Sequence, residues 1–252
     1  MDRCDLLRSL HRPGSPLVLP NAWDVATAKA VVAAGFPVVA TTSAGVAAAL
    51  GYDDHEQAPP REMLDAAARI CRNVDVPVTV DAEAGYGMAA ADLVAALREM
   101  GAAGCNLEDT DHATRSLRGP TQNAARLRAV REAAVKQNYR LVINARIDVF
   151  LPGVLSGSDQ PQSELVAEAV RRAATYLDAG ADCVFPIALW QRDALVAFLA
   201  DAPGPVNAVR IPRPGALGTA ELAELGVARV SHAFFLHHAT MDHFSATLAS
   251  LA

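Results

Sequence analysis

The chain has no apolar stretch long enough to span a bilayer and no surplus of basic residues. With 22 Lys and Arg against 28 Asp and Glu, its net charge of −6 gives nucleic acid or an anionic membrane nothing to grip. Cysteine is scarce. Cys4, Cys71, Cys105 and Cys183 form no CxxC pair, so packed, reduced thiols are expected rather than disulfides or a zinc site. The charges at Asp2, Arg3 and Asp5 do not read as a signal peptide, and a cytoplasmic location is the expectation. Also missing are a P-loop, a nucleophile elbow and a glycine-rich dinucleotide fingerprint. The first strand–helix junction reads Leu19-Pro20-Asn21-Ala22-Trp23-Asp24 instead.

What is present is a pattern of short apolar runs alternating with alanine-rich amphipathic stretches. A hydrophobic content of 52% with 20% charged residues describes a well-buried chain. Strands are expected at Leu17–Leu19, Val38–Thr41, Val78–Asp81, Gly104–Leu107, Leu141–Asn144, Cys183–Phe185, Val206–Val209 and Arg229–Ser231. Helices are expected near 24–34, 60–72, 90–100, 121–137, 163–179, 190–200, 219–225 and 235–250. Gly35, Gly101, Gly180 and Gly226 each close a helix before the next strand, where a left-handed residue is needed. The strand runs are continuous rather than alternating, so both faces are buried and the sheet is parallel. Repeated strand–helix units over 252 residues, without a linker, point to an α/β fold: a single (β/α)8 TIM barrel domain spanning 1–252. An open doubly wound sheet is the rival, and the missing fingerprint counts against it.

Acidic residues end three of the apolar runs. Val76–Val80 leads into Asp81-Ala82-Glu83-Ala84-Gly85-Tyr86-Gly87; Gly104–Leu107 leads into Glu108-Asp109; Leu141–Asn144 leads toward Arg146 and Asp148. Carboxylates converging where parallel strands finish lie at the catalytic face of a barrel. Hard oxygen donors without paired His or Cys favour Mg²⁺ or Mn²⁺ over zinc. The alternative is that these acids cap helices or pair with Lys and Arg. Arg146 is placed to hold a substrate carboxylate, or equally to pair with Asp148. Thr42, Ser43 and Ala44 follow the second strand and offer hydroxyls and amides to an anion. Two long polar segments, Thr110 to Pro120 and Pro152 to Gln162, are candidate lids. The first carries Asp111 and His112 as acid–base candidates, with Tyr52 and Tyr86 behind them. His232, His237, His238 and His243 miss the spacing of a helical zinc pair and read as surface or interface residues.

Taken together, Asp81-Ala-Glu-Ala-Gly-Tyr-Gly87 resembles the metal-site signature of the isocitrate lyase/phosphoenolpyruvate mutase superfamily. The resemblance continues through Asn21-Ala-Trp-Asp24, Asn106-Leu-Glu-Asp109, Asn144-Ala-Arg-Ile-Asp148, Ala179-Gly-Ala-Asp182 and Gly226-Val-Ala-Arg-Val-Ser231. It implies a TIM barrel, Mg²⁺ with Mn²⁺ as substitute, a small 2-oxo or 2-hydroxy acid substrate and a metal-stabilised enolate. By position it implies Asp81 and Glu83 as the acids that hold the metal, Glu108 as a further ligand or supporting acid, and Asp54 on the metal's waters. It implies Thr42, Ser43, Ala44, Trp23 and Arg146 around the substrate. It further implies a dimer or tetramer, here through the helix near 235–250.

The departures bear on substrate. The Lys-Lys/Arg-Cys-Gly-His loop of isocitrate and methylisocitrate cleavers has no counterpart, since Thr110–Gly119 contains no cysteine. The mutase lysine after the Glu-Asp pair is Thr110, and Thr114-Arg115-Ser116 stands near the mutase Lys-Thr-Asn-Ser segment. Ile187 replaces a mutase histidine. The charge-stabilising half of the site is retained, so the expected reaction is C–C cleavage or decarboxylation, with Glu108, Arg146, Asp111 and His112 as catalytic candidates. The alternatives are a phosphonopyruvate-type mutase or hydrolase, and an organic-acid-binding barrel without catalysis.

Overall fold

The apolar runs become parallel strands in the computed structural model, which describes residues 2–157 and 160–251. In chain order the elements are α1 (Arg3–Ser9), β1 (Leu17–Leu19), β2 (Asn21–Ala22), α2 (Val25–Ala33), β3 (Val39–Thr41), α3 (Ser43–Leu50), α4 (Pro60–Arg72) and β4 (Val78–Asp81). Then come α5 (Ala90–Glu99), β5 (Gly104–Glu108), β6 (Thr110–Asp111), β7 (Ser116–Leu117), α6 (Pro120–Lys136), β8 (Val142–Ile147) and α7 (Leu151–Leu155). A 3-10 turn, Gln162–Leu165, leads into α8 (Val166–Asp178), followed by β9 (Cys183–Pro186), α9 (Arg192–Asp201), β10 (Asn207–Val209), α10 (Thr219–Glu224), β11 (Arg229–Ser231) and α11 (Phe235–Leu251).

The hydrogen-bonded order is β2-β3-β4-β5-β8-β9 in one sheet and β1-β11-β10 in the other, all pairs parallel. A Val184–Val206 bridge joins the sheets on one side. On the other, β1 continues into β2 past Pro20, whose ring carries no N–H for a ladder bond. The strands thus follow one another around a barrel.

Pleating sorts each strand's side chains. In β8, Ile143, Ala145 and Ile147 face the helices and join the main apolar core, while Val142, Asn144 and Arg146 alternate with them toward the barrel interior. The strand starts are sealed by α1. Its Cys4 and Leu7 pack with Leu17, Leu19, Val38, Ala40 and Val142. Gly104 is required there: an added Cβ would lie 2.7 Å from the Val142 carbonyl and 2.8 Å from the Leu7 side chain.

The strands lie where the sequence placed them, with β5 and β8 running further toward the mouth. Gly35, Gly101, Gly180 and Gly226 have φ of +88°, +79°, +101° and +88°, the helix-ending conformation expected of them. Several local readings need correction. Helix α1 was not foreseen, and the stretch 163–179 begins as a 3-10 turn. Thr42-Ser43-Ala44 is the start of α3 rather than a loop. The segment after Glu108 is a tied hairpin, β6 with β7 antiparallel, and Pro152 belongs to α7. Ser158 and Asp159 of the second long segment lie outside the described residues.

Candidate active site

The strand ends bring the acids together at the barrel mouth. Asp81 closes β4; its Oδ2 accepts the Ser43 amide at 3.0 Å, and its own amide donates to Thr41 Oγ1 at 2.8 Å. Its Oδ1 is buried without a hydrogen-bond partner, as is Asp54 Oδ1. Two residues on, Glu83 Oε1 accepts the Glu56 amide at 2.6 Å. Glu83 and Tyr86 have φ of +47° and +56°, and His55 and Glu56 have +69° and +57°. Non-glycine residues held left-handed on both sides of one contact are backbone strain stored at the site. Burial, opposed by the Glu56 amide and reinforced by the charges of Asp81, Asp54 and Glu108, pushes the Glu83 carboxyl up to about 8.

Glu108 ends β5 between a histidine and an arginine. His112 Nε2 approaches Oε1 at 2.5 Å, and Arg146 Nη1 approaches Oε2 at 2.5 Å. The second contact is an ion pair without hydrogen-bond geometry. Burial raises Glu108 against the pull of Arg146. Burial works to lower His112, but its hydrogen bond to Glu108 and that residue's charge outweigh it, so His112 ends above its usual value. Arg146 also donates to Asp148 through Nε at 2.6 Å and Nη2 at 3.2 Å. The arginine expected to grip substrate is thus held by two carboxylates, in the Arg146–Asp148 pair that stood as the alternative.

Of the remaining candidates, Thr42, Ser43 and Ala44 line a mouth cavity of about 100 Å³ with Asp54, Asp81 and Arg146. Trp23 packs behind α3 with Val46 and Met63, its ring edge-on to His237 at 5.0 Å. Asp111 is turned to the hairpin, accepting the Ala113 amide and pairing with Arg118 at 3.4 Å. Tyr52 donates to Glu62. Of the histidines, His232 is half-buried, its amide donating to Asn21 Oδ1 and its Nδ1 lying 3.2 Å from the Leu19 carbonyl.

Two supports were not read from the sequence. Glu56 holds both ends of the strained contact: its amide meets Glu83, and its Oε1 accepts the Tyr86 amide at 2.6 Å. Asp109, fully buried, accepts the Asp148 amide at 2.9 Å and is bound by Arg172 and Tyr176, each at 2.8 Å. Only its place in the Glu-Asp pair signalled it.

A ring of parallel strands with buried acids at their C-terminal ends defines an acid-lined α/β-barrel enzyme. The chain belongs to the phosphoenolpyruvate phosphomutase family, whose profile it matches over residues 7–252. It is 37% identical over 225 residues to the "Uncharacterized protein Rv1998c" of Mycobacterium tuberculosis, covering 88% of this chain and 79% of that protein. It is 30% identical over 241 residues to the 2-methylisocitrate lyase of Salmonella typhimurium, covering 90% and 79%. The crystal structure of a "putative phosphonomutase" from Burkholderia cenocepacia J2315 superposes with a TM-score of 0.90 at 39% identity, covering 99% and 100%.

Superfamily members typically depend on a divalent metal. The donor set here fits one: two buried carboxylate oxygens lack partners, and a neighbouring carboxyl is raised by burial and crowding. Among the described residues no three His, Cys, Asp or Glu side chains form a ready ligand group.

Proposed function

We propose that this barrel domain is a lyase that breaks a C–C bond of a small 2-oxo or 2-hydroxy carboxylic acid, or decarboxylates it, with Mg²⁺ at the mouth. The observation that carries this reading is the pair of buried, unpartnered oxygens, Asp81 Oδ1 and Asp54 Oδ1, beside Glu83 and Glu108. Asp81 and Glu83, with Asp54 and Glu108 beside them, would hold the ion, in keeping with magnesium's use of few carboxylates. Once bound, the cation supplies positive charge to the substrate's 2-oxo and carboxylate oxygens.

The chain's own groups do the rest. The Ala44 amide lies in the first turn of α3, without a helical acceptor, and receives the substrate carboxylate. Arg146 holds Glu108 in place, and Glu108 orients His112, the group placed beside the mouth to move a proton. Calorimetry with oxalate, a planar dianion, tests the site. Binding that requires Mg²⁺ is expected, whereas no binding with or without Mg²⁺ removes the enzymatic reading.

The family description and the Burkholderia neighbour keep P–C chemistry as a second reading. Against it, Arg146 is committed to Glu108 and Asp148, and Thr110 and Ile187 stand where mutases have lysine and histidine. Phosphorus NMR with phosphonopyruvate should show no new phosphorus signal.

The same reading includes a homo-oligomer in the cytoplasm. Helix α11 buries none of its side chains and exposes Met241, Phe244, Leu248 and Leu251 at helical spacing along one face. Light scattering should give a multiple of 26.4 kDa. All four cysteines are free and buried, in keeping with a reducing compartment.

A further inference from the structure

Arg146 and Arg229 both stand on barrel strands, but only Arg146 meets carboxylates. Arg229 has no solvent exposure and, among the described residues, one hydrogen-bond partner, the side-chain oxygen of Asn106. A guanidinium buried for one neutral hydrogen bond does little for the fold. What it does is orient Asn106.

Asn106 lies on β5 opposite Asp81 of β4 on one side and Asn144 of β8 on the other. Its Oδ1 accepts Asn144 Nδ2 at 2.8 Å and Arg229 Nη2 at 3.2 Å. A guanidinium has only donors to offer, so the amide cannot be turned over: its oxygen must face Arg229. That leaves the amide nitrogen on the other limb. Asn106 is 6% exposed and lines the mouth cavity, deeper along β5 than Glu108. Among the described residues no acceptor takes its Nδ2, and Nδ2 is not one of the buried atoms sealed off without a partner. The nitrogen is therefore open to the cavity that Asp81, Ser43 and Ala44 also line.

We propose that Asn106 is a substrate-binding residue whose Nδ2 donates to an oxygen of the acid head seated at the cation, and that Arg229 is its positioning residue. This rests on the head-group site described above. Carboxylate and oxo oxygens only accept. A nitrogen facing them gains a hydrogen bond that strengthens as the head gathers negative charge, whereas an oxygen in its place would repel them. The buried cation thus decides which end of a neutral amide the ligand meets.

The test is calorimetry on the full chain, with Mg²⁺ alone and then with oxalate in saturating Mg²⁺. Asn106→Asp keeps an oxygen for Asn144 and Arg229 and replaces the nitrogen by a second oxygen. It should fold, bind Mg²⁺ at least as well as the unaltered protein, and lose oxalate affinity by about a hundredfold. Asn106→Leu removes the donor without adding charge, and should lose about tenfold with Mg²⁺ affinity unchanged. Oxalate affinity within about twofold of the unaltered protein in either variant overturns the proposal. Because leucine leaves two buried donors without an acceptor, NMR on protein carrying isotope-labelled asparagine supplies a second reading. The Asn106 side-chain signal, identified by its absence in Asn106→Asp, should move downfield when oxalate joins Mg²⁺, and should move less in Arg229→Met. No movement in the unaltered protein overturns the role of Asn106, and equal movement in Arg229→Met overturns that of Arg229. If the unaltered protein binds no oxalate in Mg²⁺, the head-group reading falls and the proposal with it.

Discussion

The two ends of this barrel put opposite chemistry on the same strands. At the strand ends, Asp81, Glu83, Glu108 and Asp54 crowd together, two of their oxygens unpartnered and the backbone at Glu83 held left-handed. At the strand starts, α1 seats Leu7 against Leu17, Val38 and Val142, and Gly104 gives it room. Between them lies Arg229, fully buried, its Nη2 on Asn106 Oδ1 at 3.2 Å and its Nε and Nη1 without partners. The closed end stabilises the barrel by apolar burial. The open end holds carboxylate oxygens without hydrogen-bond partners.

Asp81→Ala should break the contrast most sharply. Metal-dependent oxalate affinity is expected to fall more than about hundredfold, with only a small drop in thermal midpoint, since relief of carboxylate crowding offsets the acceptor lost by the Ser43 amide. Calorimetry paired with a melting curve reads both.

Leu7→Ala is the mirror experiment at the closed end. Deleting a fully buried leucine should cost about 3 kcal/mol in urea unfolding. Oxalate affinity should stay within about twofold, since the plug touches no part of the mouth; a larger loss would show the ends to be coupled.

His11 sharpens the comparison through pH. Burial, helped by the charges of Arg229 and Arg8 and opposed by the Leu7 carbonyl and Asp182, pulls its imidazole down to about 4. The unfolded chain takes up that proton near pH 6.5 and the folded chain only near 4, so the unfolded state binds more protons in between. Stability from this group is therefore full above pH 6.5 and lost as pH falls toward 4, by up to about 3 kcal/mol. His11→Gln should flatten the stability profile in that window by a similar amount.

Arg229→Met should have the smallest effect. A buried guanidinium with one neutral partner gains little for its desolvation, and burial lowers it to about 10. Stability should change by less than about 1 kcal/mol. Mg²⁺ should bind a few-fold tighter once a positive charge beneath Asp81 is removed.

The strands were legible because burial on both faces demands continuous apolar runs such as Val78–Val80 and Gly104–Leu107. Helix ends were legible where a glycine takes positive φ. The short elements were not. Thr42-Ser43-Ala44 reads equally as a turn or as the first turn of α3, and α1 spans only 7 residues, too few to show a period. In the site, Asp81, Glu83 and Glu108 were visible because each follows a buried run. Glu56 was not, since its role depends on the path of the loop after α3. Asp111 and His112 looked alike in sequence; the hairpin gives His112 to Glu108 and Asp111 to Arg118.

Sequence alone determined the parallel barrel, its family and the acids at the strand ends, because local periodicity and strand-end position are properties of neighbouring residues. The tertiary structure alone decided that Arg146 is spoken for and that Asp54 Oδ1 and Asp81 Oδ1 are left unpaired. Those outcomes depend on which side chains from distant strands and loops reach one another first, and contacts over such separations leave no local pattern in the chain.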